Sequence, residues 1–148
     1  LAMSQAFAPV LGANGGGGII TVLSVLAWLA SPNAATYCAS KAAAWSLTNA
    51  LRLALLPQHT HVLALHVALM ETEMAARLPG PKSAPDTVAG LALDGLETAL
   101  YEVLADDASR RVRAALGQTG GVWGRSLVGP PGGGGRGVRV VGFDLAFC

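Results

Sequence analysis

The chain has 148 residues, of which 52% are hydrophobic and only 13% charged, and its formal net charge is +1. That balance excludes a disordered chain, and it gives no strong field to gather nucleic acid or acidic partners. A soluble domain usually carries charge on about a quarter of its residues, so the expectation is that much of this surface is hidden against a partner or a bilayer, or that part of the domain is missing from these residues.

Residues 2–12 read as the end of a helix. Ala, Met, Phe and Leu recur at helical spacing, Pro9 disturbs the last turn, and glycines stop it. Residues 15–18, all glycine, read as a loop. Residues 19–23 are short, apolar and β-branched, which predicts a strand buried on both faces. The apolar run containing them, residues 19–30, falls well short of the roughly 20 residues that cross a bilayer. No signal peptide is read before it, because Gln5 and the glycines intervene.

A loop through Ser31-Pro32-Asn33 leads to residues 34–56, rich in Ala and Leu and predicted to form a long helix that Pro57 ends. Residues 61–67 give a second buried strand, and residues 71–78 a short helix. Ser83 is placed as the cap of the next helix, with Pro85 and Asp86 in its first turn, running to about Leu100. Residues 101–105 give a third strand and residues 107–116 a basic last helix. Strands alternating with helices imply a parallel sheet covered on both faces. From Gly117 to Cys148, Gly, Pro and Arg dominate and no helical period survives, so this tail is expected to be disordered or an aberrant terminus. Cys38 and Cys148 form no disulfide framework and no metal-ligand spacing, which points to reduced thiols in a cytoplasmic protein.

Ser24 stands at the end of the first strand, Tyr37 thirteen positions later, and Lys41 four after that. Positions four apart share a helix face, so Lys41 can hold its ammonium near the Tyr37 phenol. A positive neighbour favours a phenolate. A tyrosine tuned in that way gives a proton to a carbonyl oxygen or takes one from an alcohol, while a serine hydroxyl holds the same oxygen. The set suits carbonyl–alcohol interconversion with hydride from a cofactor. A Tyr-x-x-x-Lys pair alone is common by chance. The weight lies in the order: buried strand, serine at its carboxyl end, loop, tyrosine and lysine at a helix start, second buried strand. Ligands in open parallel sheets sit at the carboxyl ends of strands. His59 and His61 read as surface histidines, and His66 as a satisfied core histidine.

These residues resemble the short-chain dehydrogenases/reductases. Gly18-Ile19-Ile20-Thr21-Val22-Leu23-Ser24 looks like the strand that delivers that family's catalytic serine, and Tyr37-Cys38-Ala39-Ser40-Lys41 like its Tyr-x-Ala-Ser-Lys motif. Met70-Glu71-Thr72-Glu73-Met74 resembles the segment whose threonine binds the nicotinamide carboxamide. The resemblance covers residues 1–116. It implies an α/β fold, a partial Rossmann-like doubly wound parallel sheet of about three strands with flanking helices. It also implies NAD or NADP as cofactor and a small-molecule carbonyl or alcohol as substrate, with no membrane and no nucleic acid. Tyr37 is then the acid/base, Ser24 positions the substrate, Lys41 binds the nicotinamide ribose, and Thr72 holds the carboxamide. Val67-Ala68 stand where the family has Pro-Gly, so Ala68 adds a methyl beside the cofactor.

The family's glycine-rich phosphate loop and its Asn-Ala-Gly segment would fall before Leu1. The expectation is therefore a C-terminal portion that binds cofactor very weakly and has little or no activity alone. In the full-length form a homo-oligomer is expected, with Ala42 to Ala44, Leu47, Leu51 and Leu55 suited to packing against a twin. The competing class is a non-enzymatic fragment or interaction module that pairs with another chain through apolar faces. An RNA-binding Gly/Arg tail is a third reading, and it lacks interleaved aromatic residues.

Overall fold

A computed structural model describes residues 1–117, so the expectation for the Gly/Pro/Arg-rich tail beyond Gly117 lies outside the described residues. Helix α1 (Ala2–Ala13) runs through Pro9 and ends at Asn14. Strand β1 (Gly17–Val22) follows, then two 3-10 turns (Val25–Ala27 and Pro32–Ala34) and the long helix α2 (Ala35–Leu55). Strand β2 (Thr60–His66) leads through one 3-10 turn (Glu73–Ala75) to helix α3 (Pro85–Glu97), strand β3 (Glu102–Leu104) and helix α4 (Asp107–Ala115). No helix among the described residues is long and apolar enough to cross a membrane.

The three strands form a parallel sheet in the order β1-β2-β3. Ile20 pairs with Leu63, and Leu65 with Val103. β2 is the central strand and is covered on both faces. Leu63 and Leu65 join Val88 and Ala92 of α3 and Val103 of β3 in the main core. Val62, Ala64 and His66, also buried, point to the opposite face, the side left for α2, which packs against β2. Each fully buried Leu or Val contributes roughly 1.5–3 kcal/mol relative to exposure. α3 can come this close because residue 95 is glycine. A Cβ there would collide with Val103 Cγ2 and lie 3.0 Å from Leu63 Cδ1.

The chain turns from α1 into β1 at Gly16, whose φ of +117° places it in the region that favours glycine. A Cβ at Gly16 would also strike the His59 carbonyl. His59 itself has φ +59°, so the ends of β1 and β2 meet through two left-handed residues.

Four expectations change here. β1 begins at Gly17, inside the stretch read as a loop, because Gly17 and Gly18 pair with Thr60 and His61. β1 is not buried on both faces: among the described residues it has one neighbour, and Val22 is 51% exposed. The short helix expected over residues 71–78 shrinks to the single turn Glu73–Ala75. Ser83 does not cap α3. The cap position is Ala84, without a side-chain bond, and the Ser83 backbone is spent on a bridge to Met70. Of the α2 residues set aside for a twin, Leu55 is buried within this chain, whereas Leu47 is 40% exposed.

Candidate active site

The site is built at the carboxyl ends of β1 and β2, where parallel strands release their chains into loops. β1 ends at Val22. Ser24 is then 4% exposed, and its Oγ accepts the Leu26 N–H at 3.2 Å, capping the 3-10 turn that follows. A short polar side chain is what that turn needs, because the first N–H groups of a helix have no internal partner.

α2 brings Tyr37 and Lys41 to the same place from the other direction. They lie one turn apart on one face. The Lys41 ammonium sits 5.6 Å from the centroid of the Tyr37 ring, within cation–π reach. Its Nζ also donates to the Val22 carbonyl at 3.0 Å. The spacing predicts the first contact. The second needs the tertiary fold, and it ties the start of α2 to the last residue of β1.

β2 supplies the floor. Val67 is buried, and its carbonyl accepts the Val25 N–H at 3.3 Å. The Ala68 N–H donates to Asp106 Oδ2 at 2.7 Å. Thr72 lies further along in extended backbone, with its Oγ1 3.4 Å from the Met70 carbonyl. Ala68 needs no special backbone: among the described residues with side chains, only His59 and Ala99 have positive φ.

Ser24, Tyr37, Lys41, Val67, Ala68 and Thr72 all line one cavity of about 560 Å³. Its other walls are apolar, including Leu26, Leu69, Met74 and Leu78, and Lys41 is the one charged side chain among the described residues that line it. The cavity can hold a flat apolar ring while hydroxyls and one ammonium reach its polar edges. A second cavity of about 820 Å³ lies between Trp28, Cys38, Trp45 and Arg113, and none of those six residues lines it.

Sequence reasoning missed the apolar walls Leu26, Met74 and Leu78, because the tertiary path of the segments after β1 and β2, and not a local period, turns them to the cavity. It also missed the support beneath Ser24. His66 has no exposed surface and stacks on Trp28, with ring centroids 3.8 Å apart and planes 18° apart. Its Nδ1 lies 3.4 Å from the Ser24 carbonyl, an acceptor, which places the ring proton on Nδ1. Nε2 is buried and has no partner among the described residues, so the expected satisfied core histidine is satisfied on one side only. Burial pushes the imidazole pKa below its ordinary 6.5 and outweighs the Ser24 carbonyl and Glu102, which act the other way.

A family model described as short chain dehydrogenase matches residues 1–82. No curated protein matches. The chain is similar to the solved structure of a short chain dehydrogenase from Burkholderia cenocepacia J2315 in complex with NADP. The two are 37% identical over 77% of this chain and 49% of that one, with a TM-score of 0.73. A short-chain dehydrogenase from Sphingobium yanoikuyae in complex with NADPH is 26% identical over 73% of this chain and 45% of its own, with a TM-score of 0.62. A gluconate 5-dehydrogenase from Burkholderia cenocepacia J2315, in complex with NADP and tartrate, is 25% identical over 68% and 47%, with a TM-score of 0.60. The chain spans about half the length of these structures.

Proposed function

Because the chain belongs to the short chain dehydrogenase family, we propose that it carries the proton-transfer residues of a site that interconverts a small-molecule carbonyl and an alcohol by hydride transfer with NAD or NADP. The observation that carries this reading is the meeting of Ser24, Tyr37, Lys41 and Thr72, from three separate segments, in one otherwise apolar cavity.

The donor set fits a nicotinamide riboside. Val22, Leu69 and Met70 offer apolar surface to a ring, and Thr72 offers a hydroxyl to a carboxamide. Lys41 spends one N–H on the Val22 carbonyl and keeps two for ribose hydroxyls. A nicotinamide held there would supply or accept the hydride at the substrate carbon. Tyr37 gives its hydroxyl proton to the substrate oxygen during reduction and takes it back during oxidation. Ser24 Oγ is an acceptor toward Leu26, so its own O–H is free to donate to that same oxygen. Val67 and Ala68 form the floor.

Residues 1–116 act in this reading as one part of a larger dinucleotide-binding domain, in the cytoplasm and within a homo-oligomer. Among the described residues no glycine-rich turn joins a strand to a following helix, so the pyrophosphate has no cradle of that kind. The chain alone is therefore expected to bind NAD(P)H more weakly than micromolar and to turn over slowly. Calorimetric titration with NADPH and NADH, followed by carbonyl reduction at millimolar NADPH for wild type and Tyr37→Phe, tests both points. Micromolar affinity overturns the weak-binding expectation. Equal rates in the two proteins overturn the role of Tyr37.

A second reading rests on β1, which pairs with β2 alone among the described residues, and on exposed apolar side chains such as Leu53 (74%) and Met74 (83%). A non-enzymatic interaction module would pair with another chain there and would show no Tyr37-dependent turnover.

A further inference from the structure

The parallel ladder between β2 and β3 ends at the pair His66 and Leu104, with one more backbone bond from Ala105 N–H to the His66 carbonyl at 2.9 Å. The next donor on the β2 side is the Ala68 N–H. It meets the side chain of Asp106, at 2.7 Å from Oδ2, where a continuing ladder would offer a carbonyl. The other oxygen, Oδ1, accepts the Ser109 N–H at 2.7 Å and caps α4. Ser109, fully buried, adds a bond from its Oγ to the His66 carbonyl at 3.3 Å. One carboxylate thus closes the sheet and opens the helix. Both of its oxygens are committed to backbone N–H groups, and Asp106 forms no ion pair among the described residues.

We propose that Asp106 is a positioning residue that fixes the Val67–Ala68 floor of the cavity against the nicotinamide, separately from its capping of α4. The inference rests on reading that cavity as the nicotinamide site. Charge-assisted bonds of this length hold their partners firmly. Without this one, Ala68 is the first residue past the ladder with nothing to fix its N–H, and the floor is free to drift from its wall position.

Asparagine separates the two roles. It caps helices about as well as aspartate. It offers one carbonyl oxygen and one NH2 group, so it accepts the Ser109 N–H or the Ala68 N–H but turns a donor toward the other. Asp106→Asn and Asp106→Ala are compared with wild type by amide hydrogen exchange in NMR. The same samples are titrated with reduced nicotinamide mononucleotide, which carries the hydride-bearing ring without the adenylate half. The expected result for Asp106→Asn is retained protection at Ser109, lost protection at Ala68, and affinity for the mononucleotide lower by about fivefold to tenfold. Asp106→Ala loses protection at both amides. Unchanged Ala68 protection in Asp106→Ala, which has no side-chain oxygen to accept that N–H, overturns the inference. So does a freed Ala68 with unchanged affinity. In both cases the site reading survives, because wild type still binds. Failure of wild type to bind the mononucleotide removes the site reading and this inference together.

Discussion

Lowering the pH from 7.5 to 5.5 is expected to destabilise this fold through His66. The ring has no exposed surface, and its charged form is disfavoured by burial and further by Arg113, against weaker opposition from the Ser24 carbonyl and Glu102. In the unfolded chain His66 takes up a proton as the pH falls through about 6.5. In the native state it does so only at lower pH. Between those two values the unfolded state binds more protons, so stability falls as the pH falls. The contribution is complete above about 6.5 and is lost progressively below it. By pH 5.5 the loss reaches at most about 1.4 kcal/mol, a large share of a domain's usual 5–15 kcal/mol or so.

His66→Phe isolates the effect. It keeps an aromatic ring against Trp28 and removes the titrating group. The Ser24 carbonyl is not orphaned, because it also accepts the Ala27 N–H at 3.0 Å. Deleting the unpartnered Nε2 is worth about 1 kcal/mol or more, and the larger ring costs about as much in overpacking. The variant is thus expected to lie within about 1 kcal/mol of wild type at pH 7.5. Its stability curve should also be flatter by up to about 1.4 kcal/mol between pH 7.5 and 5.5. Urea denaturation followed by circular dichroism at three pH values measures this. Parallel curves for the two proteins refute a His66 that stays neutral when buried.

Two glycines of α3 should respond oppositely to alanine. Gly90 has open space around it, so Gly90→Ala should stabilise by about 0.8–1 kcal/mol through helix propensity, whereas Gly95→Ala drives a methyl into Val103 and should destabilise by about 1–3 kcal/mol. Thermal melts of the pair decide, and a stabilised Gly95→Ala contradicts the close approach of α3 to the sheet. Tyr37→Phe should lower any carbonyl reduction by about 10²- to 10⁴-fold while leaving nicotinamide affinity within about twofold, as steady-state rates and mononucleotide titration would show. Lys41→Met frees the Val22 carbonyl and deletes the two remaining donors, so nicotinamide ribose affinity should fall about tenfold; unchanged affinity by calorimetry argues against a ribose contact.

The sheet is largely legible in the sequence because residues 61–67 and 19–23 are apolar runs bounded by turn residues, and such runs fit central parallel strands. The start of β1 is not, since Gly17 and Gly18 carry no side chain to mark a strand, and their pairing depends on β2 lying alongside. Gly18 is small for a tertiary reason: a Cβ there would lie 2.8 Å from Leu96 of α3. Tyr37 and Lys41 are legible because a helix makes four-residue spacing a contact. Asp106 is not, because a helix-capping aspartate looks the same in sequence whether or not its second oxygen reaches Ala68, just past a strand and 38 positions away. Ser83 misleads for the opposite reason: it fits a cap, and the tertiary bridge to Met70 takes its backbone first.

The most direct measurement is an NMR titration of the chain with reduced nicotinamide mononucleotide. A nicotinamide site in this cavity gives saturable shifts at Ser24, Tyr37, Lys41, Ala68 and Thr72, with affinity in the millimolar range, about −4 kcal/mol. Shifts centred instead on the cavity of Trp28, Cys38 and Arg113, or no saturable shift at all, would contradict it.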